Sequence, residues 1–138
     1  SKGVYAVIMR YREGRVLIYV YRRAKLLHDF TGTEVRRFLK KFGYEGKNLQ
    51  EMLEQLSQRL CASDSFPHEI GLFLGYPIED VKDFIKNEGR NCKLAGTWKV
   101  YHDEQNARKT FCKFKKCTDI YCQMLGKGTP LRRLTVAG

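Results

Sequence analysis

The chain has 138 residues, enough for one folded domain with its own core, and 43% of them are hydrophobic, which argues against an intrinsically disordered segment. No apolar run approaches the roughly 20 residues of a membrane-spanning helix, so the sequence predicts no transmembrane segment. Lys and Arg total 26 against 15 Asp and Glu, and the resulting net charge of +11 favours an anionic partner.

The five cysteines are irregularly spaced and include no CxxC pair. Such a pattern is typical of reduced thiols and predicts a cytoplasmic protein. The apolar N-terminus does not change this interpretation. Arg10 and Arg12 interrupt it, and its Val, Ile and Tyr residues suit a strand better than a signal peptide.

The N-terminal segment predicts a β-hairpin. Residues 3–11 and 16–22 are dense in Val, Ile and Tyr, and the loop between them contains Gly14, which tolerates the positive φ of a tight turn. Both faces of both strands are largely apolar or aromatic. We therefore expect the hairpin to be covered on both sides, or to use one side for a partner. A homodimer through the hairpin is one such arrangement.

The next part of the chain predicts helices. A short helix is expected over residues 23–30, and Thr31 and Glu34 have the spacing of a capping box for the helix that follows. Asn48 and Glu51 have the same spacing in front of another apolar stripe, which predicts a further helix.

Proline and glycine mark the boundaries of the later elements. Pro67 suits a first helical turn, Gly75 suits a helix end, and Pro77 opens another helix. Residues 96–101 are typical of a strand, and residues 131–136 of a last strand.

Between those two strands, Asp103 is placed to cap a long helix that extends to Leu125. The order of elements predicts a single α+β domain over residues 1–138. In it, the hairpin and two further strands form one small sheet, packed with four to six helices.

The long helix carries three cysteines, Cys112, Cys117 and Cys122. At 100° per residue their side chains point in different directions, so they cannot bind one metal ion from a straight helix. Cys117 and Cys122 flank the apolar face and are interpreted as packing residues. Two alternatives stay open, namely activation of a thiol by a neighbouring lysine such as Lys115, and a reactive or ligating role for the loop residue Cys92.

His68 and Glu69 are a candidate ligand or acid–base pair at the start of a predicted helix. The HExxH zinc motif is excluded, because Leu72 occupies the position of the second histidine. Glu69 is also placed to complement the positive end of a helix dipole, which is a purely structural role. A chemical role for the pair requires a distant partner, such as Cys92 or His102.

Residues 68–86 have the spacing of a helix-turn-helix corner. The second helix would present Glu79 and Asp83 among its outward residues, and two acids are unfavourable beside DNA phosphates. A packed helical corner is therefore favoured, with nucleic-acid binding as the alternative. A candidate anion or nucleic-acid face is formed by Arg36, Arg37, Lys40, Lys41, Arg108, Lys115 and Lys116.

Several motifs together indicate a family. They are FPHEIGLFLGYP at residues 66–77, the pattern CK-x-x-G-x-WKVY over residues 92–101, and the closing LTVAG. In these motifs the chain resembles an uncharacterised family found mainly in anaerobic Gram-positive bacteria. The resemblance implies a bacterial cytoplasmic origin but no activity, substrate or catalytic residue. It also leads us to expect that the chain begins after an N-terminal segment with a His-Cys-Ala-Pro-like motif, which other members carry.

Of the functions that the sequence supports, binding is favoured. We expect a small binding or accessory protein for an anionic ligand, a metal-bearing cofactor or an acidic protein partner, without membrane association. Nucleic-acid binding and a thiol-dependent enzyme are the alternatives, and no catalytic residue is predicted. The candidate ligand-binding residues are His68, Glu69, Cys92, Lys93, Lys99 and Tyr101.

Overall fold

The computed structural model describes residues 2–137 and has an α+β architecture, which confirms the predicted fold class. In this part of the chain seven helices accompany two antiparallel hairpins, which form separate sheets. The expectation of one sheet is therefore wrong, and the helices exceed the four to six expected. The elements are β1 (Val4–Arg12), β2 (Arg15–Arg22), α1 (Arg23–Asp29), α2 (Thr33–Lys41), α3 (Leu49–Ala62), α4 (Ile70–Phe73), α5 (Ile78–Lys86), β3 (Leu94–Ala95), β4 (Lys99–Val100), α6 (Glu104–Gly126) and α7 (Leu131–Leu134).

The hairpin of β1 and β2 is confirmed. Its two-residue loop, Glu13 and Gly14, has positive φ at both positions, 51° and 73°, as the favoured tight hairpin turn requires. A bulge between Ile8 and Arg10 shifts the register along β1. One face of this ribbon packs on the core and the other face is exposed.

The core lies between the inner face of the hairpin and helices α1 to α5. Met9 and Tyr19 contribute from the hairpin, and the Tyr19 hydroxyl donates to the backbone carbonyl of Phe73. Leu39 of α2 and Leu56 of α3 are almost completely buried. Because the helices turn apolar stripes toward the hairpin, burial of these side chains holds the layers together.

Two helix starts test the capping predictions. Asn48 caps α3 as expected, with its side-chain oxygen 3.0 Å from the Glu51 backbone nitrogen, and Glu51 accepts in return from the Lys47 backbone nitrogen. The capping prediction for Thr31 is wrong, because its hydroxyl donates to the His28 carbonyl at the end of α1. Helix α2, which lies wholly within the described residues, begins without a side-chain cap.

The C-terminal prediction is wrong as well, since residues 131–136 do not form a strand. Leu131–Leu134 make the helical turn α7 directly after Pro130, which fixes a backbone angle suited to a helix start. The Arg133 nitrogen donates to the Pro130 carbonyl at 2.8 Å. Local hydrogen bonds of this kind satisfy the backbone without a partner strand.

The long helix α6 packs on the rest of the protein through its first half. Asp103 caps it as expected, and Ala107 is buried. Every residue from 112 to 126 is exposed, including Cys117 and Cys122, so the interpretation of these cysteines as packing residues is wrong. None of the helices in residues 2–137 combines the length and the apolar character needed to cross a membrane.

Candidate functional site

The corner between α4 and α5 positions the candidate site. Gly75 adopts a φ of +79° just after α4, and Pro77 precedes α5, so the chain reverses direction within a short turn. Gly71 allows the two helices to approach closely, because a Cβ atom there would lie 2.9 Å from Cγ2 of Val81. This geometry agrees with the favoured interpretation of a packed helical corner.

Beside this corner lies a cavity of about 360 Å³, a volume within the range of small-molecule sites. Three separate segments line it, with residues between 66 and 71, between 76 and 84, and between 95 and 99. Its walls are mainly apolar and aromatic, and a few polar side chains converge on them. That composition is typical of a binding pocket.

Trp98, the single tryptophan of the chain, forms one wall, and we call this cavity the Trp98 cavity. The Trp98 ring stacks on Tyr76, with 5.2 Å between the ring centroids and 29° between the planes. Phe111 of α6 meets the ring edge-on at 4.7 Å, in the space left by Gly96, where a Cβ atom would lie 2.3 Å from the Phe111 ring. Burial also raises the pKa of the Tyr76 phenol, so this wall stays uncharged at neutral pH.

Asp80 fixes the position of the Trp98 wall. Its carboxylate is almost completely buried and accepts a hydrogen bond of 2.8 Å from the Trp98 indole nitrogen. The backbone nitrogens of Tyr101 and His102 donate to the same carboxylate at 2.8 and 2.9 Å. These three neutral donors satisfy most of its acceptor positions, and they join α5 both to the end of β4 and to the Trp98 side chain.

Two ionisable side chains meet at the Phe84 ring in the Trp98 cavity. The Nζ atom of Lys99 lies 5.8 Å from the centroid of this ring, and the centroid of the His68 ring lies 5.2 Å from it. Lys99 also donates to the Gly89 carbonyl at 2.6 Å, which uses one of its three ammonium hydrogens. The structure therefore brings together two of the predicted site residues, His68 and Lys99.

Glu69 does not join them in the Trp98 cavity. It lines a neighbouring cavity of about 350 Å³, which His68 also borders. The Glu69 carboxylate is 1% exposed, forms an ion pair with Arg59 and accepts from the Tyr44 hydroxyl at 3.1 Å. Burial, and then the adjacent Glu69 charge, raise the pKa of Tyr44 well above its usual value, so the phenol keeps its donating hydrogen. Glu69 is thus engaged in the interior.

The other three predicted site residues lie outside the Trp98 cavity lining. Cys92 is partly buried and Lys93 is exposed. Tyr101 is buried, and its hydroxyl donates to the Arg90 carbonyl at 2.8 Å. Burial raises the pKa of the Tyr101 phenol, and the neighbouring Cys92 adds to the increase. A ligand-binding role for these residues stays a prediction.

The helix-turn-helix alternative and the basic face also stay predictions. Two side chains that α5 would present to DNA are engaged, since Lys82 pairs with Glu34, and Asp83 pairs with His102 at 2.7 Å. The basic face is divided between α2 and α6. Three of its members have partners within the chain, namely Arg36 with the Phe30 carbonyl, Arg108 with Glu104, and Lys115 with Asp119.

The side chains of residues 2–137 form no assembled site for metal binding or for thiol chemistry. No group of three or more His, Cys, Asp and Glu side chains in this part of the chain is placed to hold a metal ion. All five cysteines are free, and four are exposed. Lys115, the candidate for activating a thiol, is paired with Asp119, and that hydrogen bond raises its pKa.

Sequence reasoning missed Asp80 and Trp98 as site residues. Asp80 looks like an ordinary acid in the first turn of a helix that follows Pro77, and Trp98 looks like a strand residue. One signal could have identified Asp80, because it lies next to Val81 on the inward side of the helix, where an acid must find donors. For Trp98, the signal was that the single tryptophan of the chain lies two residues after Gly96.

The comparisons with known proteins point to a family without a known activity. The model of the family described as "Protein of unknown function (DUF3793)" matches residues 1–135. No curated protein and no solved structure matches the chain.

Proposed function

Since this chain belongs to the DUF3793 family, whose function is unknown, we propose a function from the site itself. The protein is a cytoplasmic binding protein whose Trp98 cavity holds a small, planar, anionic ligand. The observation that carries this proposal is the meeting of His68 and Lys99 at one aromatic cavity, to which separate parts of the chain contribute.

The shape of the cavity favours a planar ligand. Trp98 is held by the Asp80 carboxylate at one edge and is packed between Tyr76 and Phe111. A wall fixed in this way is pre-organised, so a flat ligand can pack against the aromatic rings that border the cavity without the entropy cost of ordering them. The volume of about 360 Å³ suits a small molecule and not a polymer.

The charges favour an anion. Lys99 carries two ammonium hydrogens beyond the one it donates to Gly89, and His68 adds a ring nitrogen that can donate when protonated. The Asp80 carboxylate is occupied by three N–H donors. A carboxylate or phosphate group on the ligand therefore meets donors at the Phe84 side of the cavity. The net charge of +11 also draws anions toward the surface.

The test uses 2-naphthoate as the anionic probe and 2-naphthalenemethanol as its uncharged counterpart. The single tryptophan gives one indole N–H signal in a nitrogen–proton NMR spectrum, and that signal reports directly on the cavity wall. We expect naphthoate to shift the Trp98 signal and to bind more tightly than the alcohol. Lys99→Met keeps the aliphatic stem and should weaken naphthoate binding about tenfold, with little effect on the alcohol.

Lys93→Met is the matched control, because it removes the same charge from an exposed lysine outside the cavity lining. It should leave naphthoate affinity almost unchanged. Equal binding of the two probes would contradict the anionic preference, and equal losses in the two lysine variants would mean that only the overall charge matters. An indole signal that neither probe shifts would remove the cavity as the site.

A further inference from the structure

The face of the β1–β2 hairpin that points away from the core is apolar along its length. Its five larger side chains are between 47% and 71% exposed. A contiguous exposed apolar patch of this kind is rare on a protein that acts alone, and it usually marks an interaction site. We call it the outer face, and it consists of Ala6, Ile8, Tyr11, Val16, Ile18 and Val20.

Three arginines of the hairpin have partners outside the outer face, although Arg22 follows Val20 on the same side of β2 and borders that face. Arg10 donates to the Leu60 carbonyl at 2.9 Å, Arg12 pairs with Asp64, and Arg22 donates to a carbonyl near the C-terminus at 2.8 Å. Exposed strands commonly carry lysines that discourage association. The outer face carries none, although the chain has 26 Lys and Arg residues. It is therefore an uncharged area on a strongly basic protein.

The outer face is also self-complementary. Ile8 pairs with Ile18 at its centre, so a two-fold axis through this point brings both isoleucines of one copy onto the same two residues of another. Sheets that pack face to face in this way lie about 10 Å apart, with the side chains between them buried. The flanking cross-strand pairs are Ala6 with Val20 and Tyr11 with Val16.

From these observations we infer that the outer face is a homodimer interface, in which the hairpins of two copies pack face to face. A fully exposed valine, isoleucine or tyrosine has about 160 to 230 Å² of surface, so the exposed fractions of the five larger residues contribute about 550 Å² per copy. Two copies together bury about 1,100 Å², at the small end of specific interfaces. The dimer does not depend on the Trp98 cavity or its ligand.

Sedimentation of the whole chain from about 1 to about 200 µM tests this interface, and we expect a reversible monomer–dimer equilibrium in the micromolar range. Ile18→Lys places an ammonium group from each copy at the centre of the contact and should weaken the dimer at least about tenfold. Ile8→Thr keeps a β-branched residue on the strand, and it is the variant to measure if the lysine variant does not fold. It should weaken the dimer by about fivefold.

Leu131→Lys is the matched control, because it makes the same change at a residue of α7 that is 69% exposed. It should leave the dimer intact. Phe114→Lys tests a competing interface formed by the exposed apolar side chains of α6, which include Phe114, Tyr121 and Leu125. A chain that stays monomeric at the highest concentration overturns the proposal. This holds even if the monomeric chain binds phosphatidylserine vesicles. A dimer that is lost in Phe114→Lys and kept in Ile18→Lys overturns it too.

Discussion

Two buried carboxylates in this protein, Glu69 and Asp80, are satisfied in different ways. Glu69 forms an ion pair with Arg59 and accepts from the Tyr44 hydroxyl. Asp80 accepts from the Trp98 indole and from two backbone nitrogens, all of them neutral donors. The two side chains are equally buried, so exposure alone does not distinguish them. Their partners do.

The partners show what each carboxylate holds in place. Arg59 lies on α3 and Tyr44 follows α2, so Glu69 joins helices within the core. The donors to Asp80 all lie between residues 98 and 102, and one of them, Trp98, forms a wall of the Trp98 cavity. The same chemical group therefore supports stability in one place and the geometry of the candidate site in the other. Substitutions at the two positions should separate these roles.

Asp80→Ala should have the largest effect. It leaves the Trp98 indole and two backbone N–H groups without an acceptor in a buried place, which we expect to lower the free energy of unfolding by about 4 kcal/mol. Asp80→Asn keeps one acceptor oxygen and should lower it by about 2 kcal/mol. Urea unfolding measures both losses. The Trp98 emission should shift to longer wavelength in each variant, because its wall loosens toward water.

A loss below about 1 kcal/mol in Asp80→Ala, with unchanged Trp98 emission, would show that water replaces the carboxylate. In that case Asp80 does not fix the wall, and the contrast with Glu69 fails.

Local signals in the sequence predicted much of the fold. The hairpin, the Asn48 cap of α3 and the Asp103 cap of α6 each depend on residues that are neighbours in the chain, and all three are confirmed. The single sheet and the last strand were wrong, because strand pairing depends on which segments meet in space. Leu131–Leu134 instead satisfied its backbone locally as a helical turn.

The candidate site was predictable to the same extent, because single residues could be recognised and contacts between distant segments could not. His68 and Lys99 could be nominated because ionisable side chains beside apolar segments attract attention in a sequence. Asp80 and Trp98 could not be paired, because the hydrogen bond between them joins a helix to a separate hairpin. Glu69 looked equivalent to His68 in the sequence. In the structure both residues lie in the turn before α4, and only His68 lines the Trp98 cavity.

Glu69→Gln should have a smaller effect than Asp80→Ala and a different kind of effect. It removes the charge that Arg59 pairs with. The Arg59 side chain is 40% exposed, so part of it stays hydrated, although the Nε atom that faces Glu69 is buried. We expect the free energy of unfolding to fall by about 2 kcal/mol. The affinity for 2-naphthoate should be unchanged, because Glu69 is absent from the Trp98 cavity lining. Weaker naphthoate binding in this variant would show that the two carboxylates are not separate in function.

The smallest effect is expected at Tyr44, and it should depend on pH. Tyr44→Phe removes one donor to Glu69 and should lower the free energy of unfolding by about 1 kcal/mol at pH 7. Burial, and then the Glu69 charge, raise the pKa of Tyr44 in the folded protein, whereas in the unfolded chain it is near 10. Above pH 10 the unfolded chain loses a proton that the folded protein keeps. The stability should therefore be level below about pH 10 and should decline above it, by at most about 1.4 kcal/mol per pH unit for each such tyrosine.

Tyr19 should contribute to the same decline, because burial is the main cause of its raised pKa as well. Tyr44→Phe removes the Tyr44 contribution and leaves that of Tyr19, so the stability of this variant should fall less steeply than that of the wild type. The difference of about 1 kcal/mol at pH 7 should shrink and then reverse above pH 10. Urea unfolding of both proteins between pH 7 and 11 measures this. Curves that stay parallel would mean that the Tyr44 phenol ionises equally in the folded and unfolded chains, and that Glu69 relies on Arg59 alone.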